Sequence, residues 1–357
     1  MSKIKIAIIT PIYLISNGGA SVYFNTITNA LKNKYSFSII SEKYKTENKN
    51  YYGIFPKRGS VEYHNFLHKI SIFIYENFTY LKIFIALSKI KPNVVHVHSS
   101  YFNNPSIFPI VFIISKIFFK SKFILDARDK MMKKYLYIFV NYFDNIICCS
   151  ADIKKIYEKI LNKKNQNKIY QIPVLINEIE NFGKKFIPKE IINKQYIIYA
   201  GLIKTQKNVD LIIETFQEIT SKQNKDLYLV LIGTVKNKKK YFYSKFNDKK
   251  IYYFETMENT LVQNIIRQSQ ISINISPNEG VPQFCLESIA NNKLVILPPN
   301  IIEFNEYAKE NVFTGFTKQE LNNFIFKILN NKIYPSYPIS RHFIKNQISK
   351  YIEIYEK

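Results

Sequence analysis

Short apolar runs alternate with longer amphipathic segments along the whole chain. In the first half these runs are IKIAIIT, FSII, NVVHVH, KFILDA and NIICCS, and in the second half YIIYAG, LYLVLIG, KIYYF, ISINIS and LVILPP. Near-continuous Ile and Val runs are typical of parallel strands that are buried on both faces. Intervening segments such as ASVYFNTITNALKN and VDLIIETFQEITSK have helical periodicity. The pattern predicts an α/β protein built from βα units around parallel sheets.

A polar segment divides this pattern into two halves. Residues 177–195 are broken by Gly183 and Pro188 and are followed by a new apolar run. A chain of 357 residues is long enough for two domains that each bury a core. Two doubly wound domains predict a ligand site at the carboxyl ends of their strands. The predicted ranges are 1–177 for a first Rossmann-like domain, 178–338 for a second one, and 339–357 for a C-terminal helix that packs back on the first.

The chain carries a formal net charge of +24. Such a charge suggests anionic partners, of which an anionic membrane surface and nucleic acid are the two main classes. The same charge also follows from an AT-rich genome, because Lys, Asn, Ile, Tyr and Phe are abundant while there are nine Gly and no Trp. Only the charge supports nucleic acid, so no nucleic-acid partner is expected.

The cysteines and the N-terminus predict a cytoplasmic protein. The three cysteines, Cys148, Cys149 and Cys285, form no convincing disulfide framework, which indicates a reducing compartment. The N-terminal apolar run is interrupted by Pro11 and is better explained as a first strand than as a signal peptide. The apolar run 107–119 is cut by a proline and a lysine, and we predict no transmembrane helix.

Glycine is rare, and five of the nine glycines follow predicted strands. These five are Gly18, Gly19, Gly201, Gly233 and Gly280. Glycine at such turns lets the backbone approach a ligand closely, although tight βα turns need glycine for steric reasons as well. Neither G-x-G-x-x-G after the first strand nor G-x-x-x-x-G-K-[ST] is present. Their absence argues against an NAD enzyme or a P-loop protein.

A lysine and two glutamates stand close to these glycines. Lys207 opens a predicted helix after Gly201, where its ammonium suits a diphosphate; a solvated lysine is the alternative. Glu279 and Glu287 lie on either side of a Gly-Val-Pro turn, where a carboxylate would repel phosphate. A ligand that is part polyol and part diphosphate explains why both kinds of charge occur together.

Several stretches together resemble retaining glycosyltransferases of the GT-B fold, in particular the large family 4. They are NGGASVYFNTITNAL, PNVVHVHS, YIIYAGLIKTQKNVDLIIETF, LYLVLIG and NEGVPQFCLESIANNKLVI, in the family's order and spacing. The last stretch is the most specific, because E-x7-E followed by an Ala-x-x-x-hydrophobic run is the signature of that family. The resemblance implies two Rossmann-like doubly wound domains that face a central cleft.

The resemblance also implies a division of labour between the domains. A nucleotide-diphospho-sugar donor would bind mainly to the second domain, and a glycan or lipid-linked saccharide acceptor to the first. The implied catalytic residues are Glu279, His98 and Lys207. The implied donor-binding residues are Gly18, Gly19, Gly201, Lys204, Lys207, Gly233, Asn278, Glu279, Gly280, Val281, Pro282 and Glu287. The resemblance implies that the anomeric configuration is retained. A D-x-D motif is not evident, so we expect transfer without a metal ion, and no further cofactor is expected.

One residue departs from the family pattern at the phosphate site. The family usually has Arg directly after the glycine at position 201, and here that residue is Leu202. Lys204 is one candidate for the missing cation. Arg128, at the end of a first-domain strand, is another and would contact phosphate or acceptor; a local ion pair with Asp126 or Asp129 is the alternative. After the interdomain strand, Pro-Val-Leu at 173–175 replaces the Pro-Asn-Gly that the family usually has.

His96 and His98 lie on one face of a predicted strand. His98 matches a position that often reaches the sugar in the family. As a metal pair the two histidines lack carboxylate or thiolate neighbours in the sequence, and packed core histidines explain them equally well.

The leading hypothesis is a glycosyltransferase of bacterial surface polysaccharide or glycoprotein-glycan synthesis, at the inner face of the plasma membrane. The segment 66–90 mixes aromatics and lysines, as in a membrane-docking surface, although a core helix with snorkelling lysines fits as well. Leu202 keeps open a second hypothesis, a non-catalytic GT-B-like subunit of a partner transferase. A nucleotide-sugar epimerase or a glycoside phosphorylase on the same scaffold is a third.

Overall fold

A computed structural model describes most of the chain, and it divides into two compact units. The described residues are 3–10, 19–42, 48–55, 78, 80–99, 108–128, 137–176, 187–222, 226–236, 238–277 and 279–357. The first unit holds most of the residues up to Leu175 together with Ile344–Lys357, and the second holds Ile176–Phe343. Each unit is described by itself below.

A parallel sheet of seven strands forms the centre of the first unit, in the order β3-β2-β1-β4-β5-β6-β7. β1 pairs with β2 on one side and with β4 on the other, so the strand order reverses beside β1. The strands are β1 (Lys5–Ile9), β2 (Ser36–Glu42), β3 (Tyr51–Phe55), β4 (Val94–His98), β5 (Lys122–Ala127), β6 (Asn145–Cys148) and β7 (Ile169–Gln171). Every described residue of β4 is buried, as expected for a central strand covered on both faces.

Helices cover this sheet, and a C-terminal helix completes its core. The helices are α1 (Gly19–Leu31), α2 (80–90), α3 (Phe108–Phe119), α4 (Tyr137–Val140), α5 (Ala151–Ile160) and α12 (Ile348–Glu356). α12 contributes Tyr351, Ile354 and Tyr355 to the cluster that includes Tyr23 and Phe24 of α1. The helix predicted over 339–357 is therefore shorter, because short 3-10 turns occupy Ile339–His342 and Ile344–Asn346.

The second unit is built around a parallel sheet of five strands in the order β10-β9-β8-β11-β12. Its strands are β8 (Gln195–Ala200), β9 (Leu227–Ile232), β10 (Ile251–Phe254), β11 (Ile271–Ile273) and β12 (Leu294–Ile296). Its helices are α6 (Val209–Lys222), α7 (Lys239–Lys245), α8 (Asn259–Gln268), α9 (Gln283–Ala290), α10 (Ile302–Tyr307) and α11 (Lys318–Asn331). α11 starts with a capping box between Thr317 and Glu320.

The chain reverses direction across this second sheet at β8. It runs from β8 to β9 and on to β10 at one edge, then crosses over to β11 on the other side of β8. The loops that follow β8 and β11 therefore leave the carboxyl edge toward opposite faces of the sheet. This is the topological switch point, where open α/β sheets bind ligands.

Within the residues that the structure describes, no helix is both long enough and apolar enough to span a membrane.

Candidate active site

Lys207 and Glu279 are brought together at the switch point of the second unit. Lys207 ends the 3-10 turn Thr205–Lys207 after β8, and Glu279 lies in the loop after β11. The ammonium Nζ donates a hydrogen bond to Glu279 Oε1. The side chains are only 16% and 19% exposed, so each charge depends on the other for compensation. Of the charged residues predicted to bind the donor, these two form a direct ion pair.

Asn208 holds the two loops together beside this ion pair. It has the left-handed conformation, with φ 55°, between the 3-10 turn and α6. Its side-chain Nδ2 donates to the carbonyl of Ile275, 3.2 Å away, in the loop after β11. In that loop Ser276 N donates to Asn274 Oδ1 at 3.0 Å. These bonds fix the backbone around the lysine and the glutamate.

The residues after Glu279 lead directly into α9. Gly280 is partly exposed, Val281 is buried, and Pro282 is the N-cap residue before Gln283. Asn278, one of the predicted donor-binding residues, lies outside the described residues, as does Gly18. Gly19 is described only as the first residue of α1.

Glu287 lies one helical turn inside α9 and is buried. Its Oε1 accepts hydrogen bonds from Asn259 Nδ2 at 2.8 Å and from Gln283 Nε2 at 2.9 Å. Burial raises the pKa of Glu287 from 4.5 to about 7, although these two donors favour the carboxylate. Gln283 stands four residues before Glu287 on one helix face, so spacing could have revealed it. Asn259 lies on α8 and left no such signal in the sequence.

The raised pKa of Glu287 predicts a defined pH dependence of stability. The folded protein keeps a proton that the unfolded chain releases above 4.5, so the free energy of unfolding should fall as pH rises from 4.5 to about 7. Glu287→Gln removes this loss and should be more stable than wild type by on the order of 3 kcal/mol at about pH 8. Urea unfolding of both proteins at about pH 5 and about pH 8 measures the difference. An equal effect of the substitution at both pH values would contradict it.

Gly201 and Gly233, which follow β8 and β9, approach each other closely. Gly201 N donates to Ile232 O, and Gly233 N donates to Phe254 O, both at 2.9 Å. A Cβ built on Gly233 would lie 1.9 Å from the carbonyl oxygen of Gly201. The chain's own backbone therefore accounts for glycine at position 233, whether or not a ligand also approaches.

Leu202 and Lys204 occupy the loop where a second cation is expected. The Leu202 side chain is 42% exposed, and its carbonyl accepts a hydrogen bond from Tyr199 Oη at 2.9 Å. Lys204 is half-buried and is the N-cap residue of the 3-10 turn that ends at Lys207. The turn thus carries one lysine at each of its ends.

In the first unit, His96 and His98 pack against the same aromatic ring. The centroid of Phe24 lies 5.4 Å from that of His96 and 6.0 Å from that of His98, as expected for alternate residues of β4. Nδ1 of His96 shares a hydrogen bond of 2.9 Å with Tyr355 Oη of α12. Both histidines are buried, so His98 contributes to the core at the carboxyl end of its strand.

Asp126 supplies a carboxylate neighbour that the sequence did not reveal. It is paired with His98 in the register of β4 and β5, and its Oδ2 lies 3.7 Å from His96 Nε2. Burial alone would raise the pKa of Asp126, but Arg128 and His96 outweigh it and hold the pKa at about 2. A carboxylate that is distant in sequence therefore lies beside His96 in the fold. Within the described ranges no group of three metal-ligating side chains occurs.

Arg128 forms a local ion pair with Asp126, which the sequence analysis gave as the alternative to a contact with phosphate or acceptor. Its Nε lies 3.1 Å from Asp126 Oδ1, and its guanidinium carbon lies 3.1 Å from the ring centroid of Tyr23. Tyr23 Oη in turn shares a hydrogen bond of 2.6 Å with Tyr351 Oη of α12. Nη2 of Arg128 is buried without a hydrogen-bond partner in the described structure. This buried network joins α1, β5 and α12 of one unit.

Two family models match the chain and together span most of it. The model described as Glycosyltransferase Family 4 matches residues 17–177, and the model described as Glycosyl transferases group 1 matches residues 182–348. The chain is a family 4 glycosyltransferase. No curated protein sequence matches this glycosyltransferase.

Solved structures share the fold of this family 4 glycosyltransferase over nearly its full length. A glycosyltransferase from Rickettsia africae has a TM-score of 0.70 at 16% identity, over 100% of this chain and 98% of that one. Anabaena Alr3699/HepE in complex with UDP and glucose has a TM-score of 0.66 at 10% identity, over 99% and 97%. An E. coli protein structure described as trehalose-6-phosphate bound with UDP-2-fluoro glucose has a TM-score of 0.69 at 10% identity, over 99% of both chains. These similarities show the GT-B fold.

Proposed function

We propose that this glycosyltransferase moves a sugar from a nucleotide-diphospho-sugar to a glycan or a lipid-linked saccharide, with retention of the anomeric configuration. The observation that carries the proposal is the Lys207–Glu279 ion pair at the switch point of the second unit. The ammonium can contact a diphosphate, and the adjacent carboxylate can accept hydrogen bonds from sugar hydroxyls. The pair therefore fits a ligand that joins a diphosphate to a sugar. UDP-glucose, with which Anabaena Alr3699/HepE forms a complex in another solved structure, is a ligand of this class.

In the proposed reaction, the acceptor hydroxyl oxygen forms a bond to the anomeric carbon as the bond from that carbon to the diphosphate oxygen breaks. The leaving diphosphate takes the proton of the acceptor hydroxyl, so no protein base is required and nothing is oxidised. Negative charge grows on the diphosphate in the transition state, and the Lys207 ammonium stabilises it there. Lys204 supplies a second positive charge in place of the arginine that Leu202 replaces. No metal ion is required in this scheme.

The two glutamates bind the neutral parts of the donor. Glu279 accepts hydrogen bonds from hydroxyls of the sugar, and its contact with Lys207 aligns the lysine for the diphosphate. Glu287, one turn inside α9, accepts hydrogen bonds from the ribose hydroxyls. Because this role requires its carboxylate form and its pKa is about 7, we expect the donor to bind with release of a proton near neutral pH.

The acceptor binds to the first unit in this proposal, at the carboxyl end of β4 and β5. His98 and Arg128 stand there, and the unpartnered Nη2 of Arg128 is a donor for an anionic or hydroxyl group of the acceptor. A lipid-linked acceptor of surface polysaccharide or glycoprotein-glycan synthesis places the enzyme at the cytoplasmic face of the plasma membrane.

Calorimetric titration with a panel of nucleotide sugars tests the donor proposal. One nucleotide sugar is expected to bind wild type, and Lys207→Ala is expected to weaken its binding more than Lys204→Ala does. Asp210→Asn, at a partly buried position of the first turn of α6, serves as a charge-changing control. Absence of binding by every nucleotide sugar would overturn the proposal.

A further inference from the structure

Two helices of the first unit present large apolar side chains to solvent side by side. On α2 these are Leu81 and Ile85, and on α3 they are Ile114, Ile117 and Phe118. Ile117 is 73% exposed and Phe118 is 70% exposed. We call this set the α2–α3 face. Isolated exposed apolar residues are ordinary, but a contiguous set of this size marks a surface that something covers.

Contacts beneath this face show that it is continuous. The ring of Phe84 on α2 lies 5.9 Å from Phe118 and 5.3 Å from Phe119 of α3, between centroids. On the opposite side of α2, Ile83, Leu87 and Ile90 are buried in the unit. The exposed residues are therefore not needed for the core, which these inward-facing residues already form.

Lysines border the face, and no acidic residue lies on the described parts of these helices. Lys82 and Lys89 share the exposed side of α2 with Leu81 and Ile85, because they stand at helical spacing. Lys91 and Lys120, with φ of 49° and 52°, directly follow α2 and α3 and are exposed. β4 and β5 follow these helices and pair with each other, so both lysines lie at the same edge of the sheet.

Asp144, which contacts a lysine of α3, does not offset the charge of the bordering lysines. Asp144 accepts from Lys116 at 2.7 Å, so that lysine and that carboxylate neutralise each other. What remains is an apolar centre with a positively charged border. This combination fits the interface of an anionic bilayer, where apolar side chains enter the acyl boundary and lysines meet anionic headgroups.

We propose that the α2–α3 face docks this glycosyltransferase on an anionic lipid bilayer. A second copy of the chain fits less well, because a two-fold symmetric contact through this face would set lysines against lysines. The inference rests on the proposed function in one respect, since docking concentrates the enzyme at the bilayer that contains a lipid-linked acceptor. It does not depend on the donor chemistry, because vesicle binding requires no nucleotide sugar.

Co-sedimentation with phosphatidylcholine vesicles, with and without phosphatidylglycerol, tests the proposal. Wild type is expected to bind only the anionic vesicles, and added salt should weaken the binding. Ile117→Ser combined with Phe118→Ser should reduce the binding by about tenfold or more. Lys82→Gln and Lys89→Gln should each reduce it by about fivefold. Phe316→Ser, at an exposed position of the second unit, is the matched control and should bind as wild type does.

Three readouts keep the outcomes distinct. Circular dichroism and melting temperature should be unchanged in the serine variants, because the replaced side chains are exposed. Sugar transfer by the serine variants to a short water-soluble acceptor should also be unchanged. If wild type binds no nucleotide sugar, the donor proposal alone is overturned. Equal binding to neutral and anionic vesicles, or wild-type binding by the serine variant, would overturn the docking proposal. So would a wild-type dimer in sedimentation velocity that the serine variant converts to a monomer.

Discussion

Glu279→Ala is expected to lower kcat/KM for the nucleotide sugar by about 10²- to 10³-fold or more, to the point where turnover is lost. The substitution removes the acceptor of the sugar hydroxyls and leaves Lys207 without the carboxylate that it contacts. Initial rates of nucleotide release, with circular dichroism as a check of folding, measure the effect. Retained activity in a folded variant would show that the site lies elsewhere.

Glu279→Gln and Lys207→Ala separate the two contributions to this loss. The glutamine keeps a hydrogen-bond acceptor but removes the charge, so it tests whether Lys207 needs an anionic neighbour to be held in place. Lys207→Ala removes a charge that contacts the diphosphate in the bound donor and stabilises it more strongly as it leaves, so it should weaken donor binding and lower kcat as well. The variant that combines Glu279→Gln with Lys207→Ala should lose less transition-state stabilisation than the sum of the two single losses, because the two side chains act as one unit. Additive losses would contradict this coupling.

Gly233→Ala is expected to destabilise the second unit by about 3 kcal/mol or more. The new Cβ would lie 1.9 Å from Gly201 O, and a backbone atom cannot rotate away as a flexible side chain can. The φ of Gly233 is 142°, which L residues rarely adopt. Either β8 and β9 must separate at their carboxyl ends, or the loop that leads to Lys207 must move. A fall of about 10 °C in melting temperature is expected in calorimetry.

Gly201→Ala is the matched control for this substitution. Its φ is 155°, but its Cβ would meet the Tyr199 hydroxyl at 3.1 Å, which a side chain can relieve by a small shift. We therefore expect a clearly smaller loss of stability than for Gly233→Ala. If both substitutions cost the same, steric overlap with the Gly201 carbonyl is not the reason for glycine at position 233.

The apolar runs predicted ten strands that the structure contains, and they predicted the division into two sheets. Each central strand is a dense run of Ile, Val or Leu, so burial on both faces leaves a strong local signal. β3 and β7 were not predicted, because YYGIF is interrupted by a glycine and IYQ, with no buried residue, is not part of an apolar run. The lysine and glutamate at the switch point could be expected to meet, because both follow central strands of one sheet.

The buried network of the first unit could not be predicted in the same way. Its bonds join Tyr23 to Tyr351 and His96 to Tyr355, which are 328 and 259 residues apart in sequence. No periodicity or spacing encodes such a contact, which exists only because α12 packs on the sheet that contains β4. The burial of Glu287 was missed for a similar reason, since its partner Asn259 lies on another helix.

The most direct test of the proposed transfer is mass spectrometry of the acceptor after incubation with the donor that binds. The acceptor should gain the mass of one sugar, with one nucleoside diphosphate released per sugar, in wild type and not in Glu279→Ala. An acceptor of unchanged mass across a panel of lipid-linked and soluble saccharides, although the donor is bound or chemically altered, would contradict the proposed transfer.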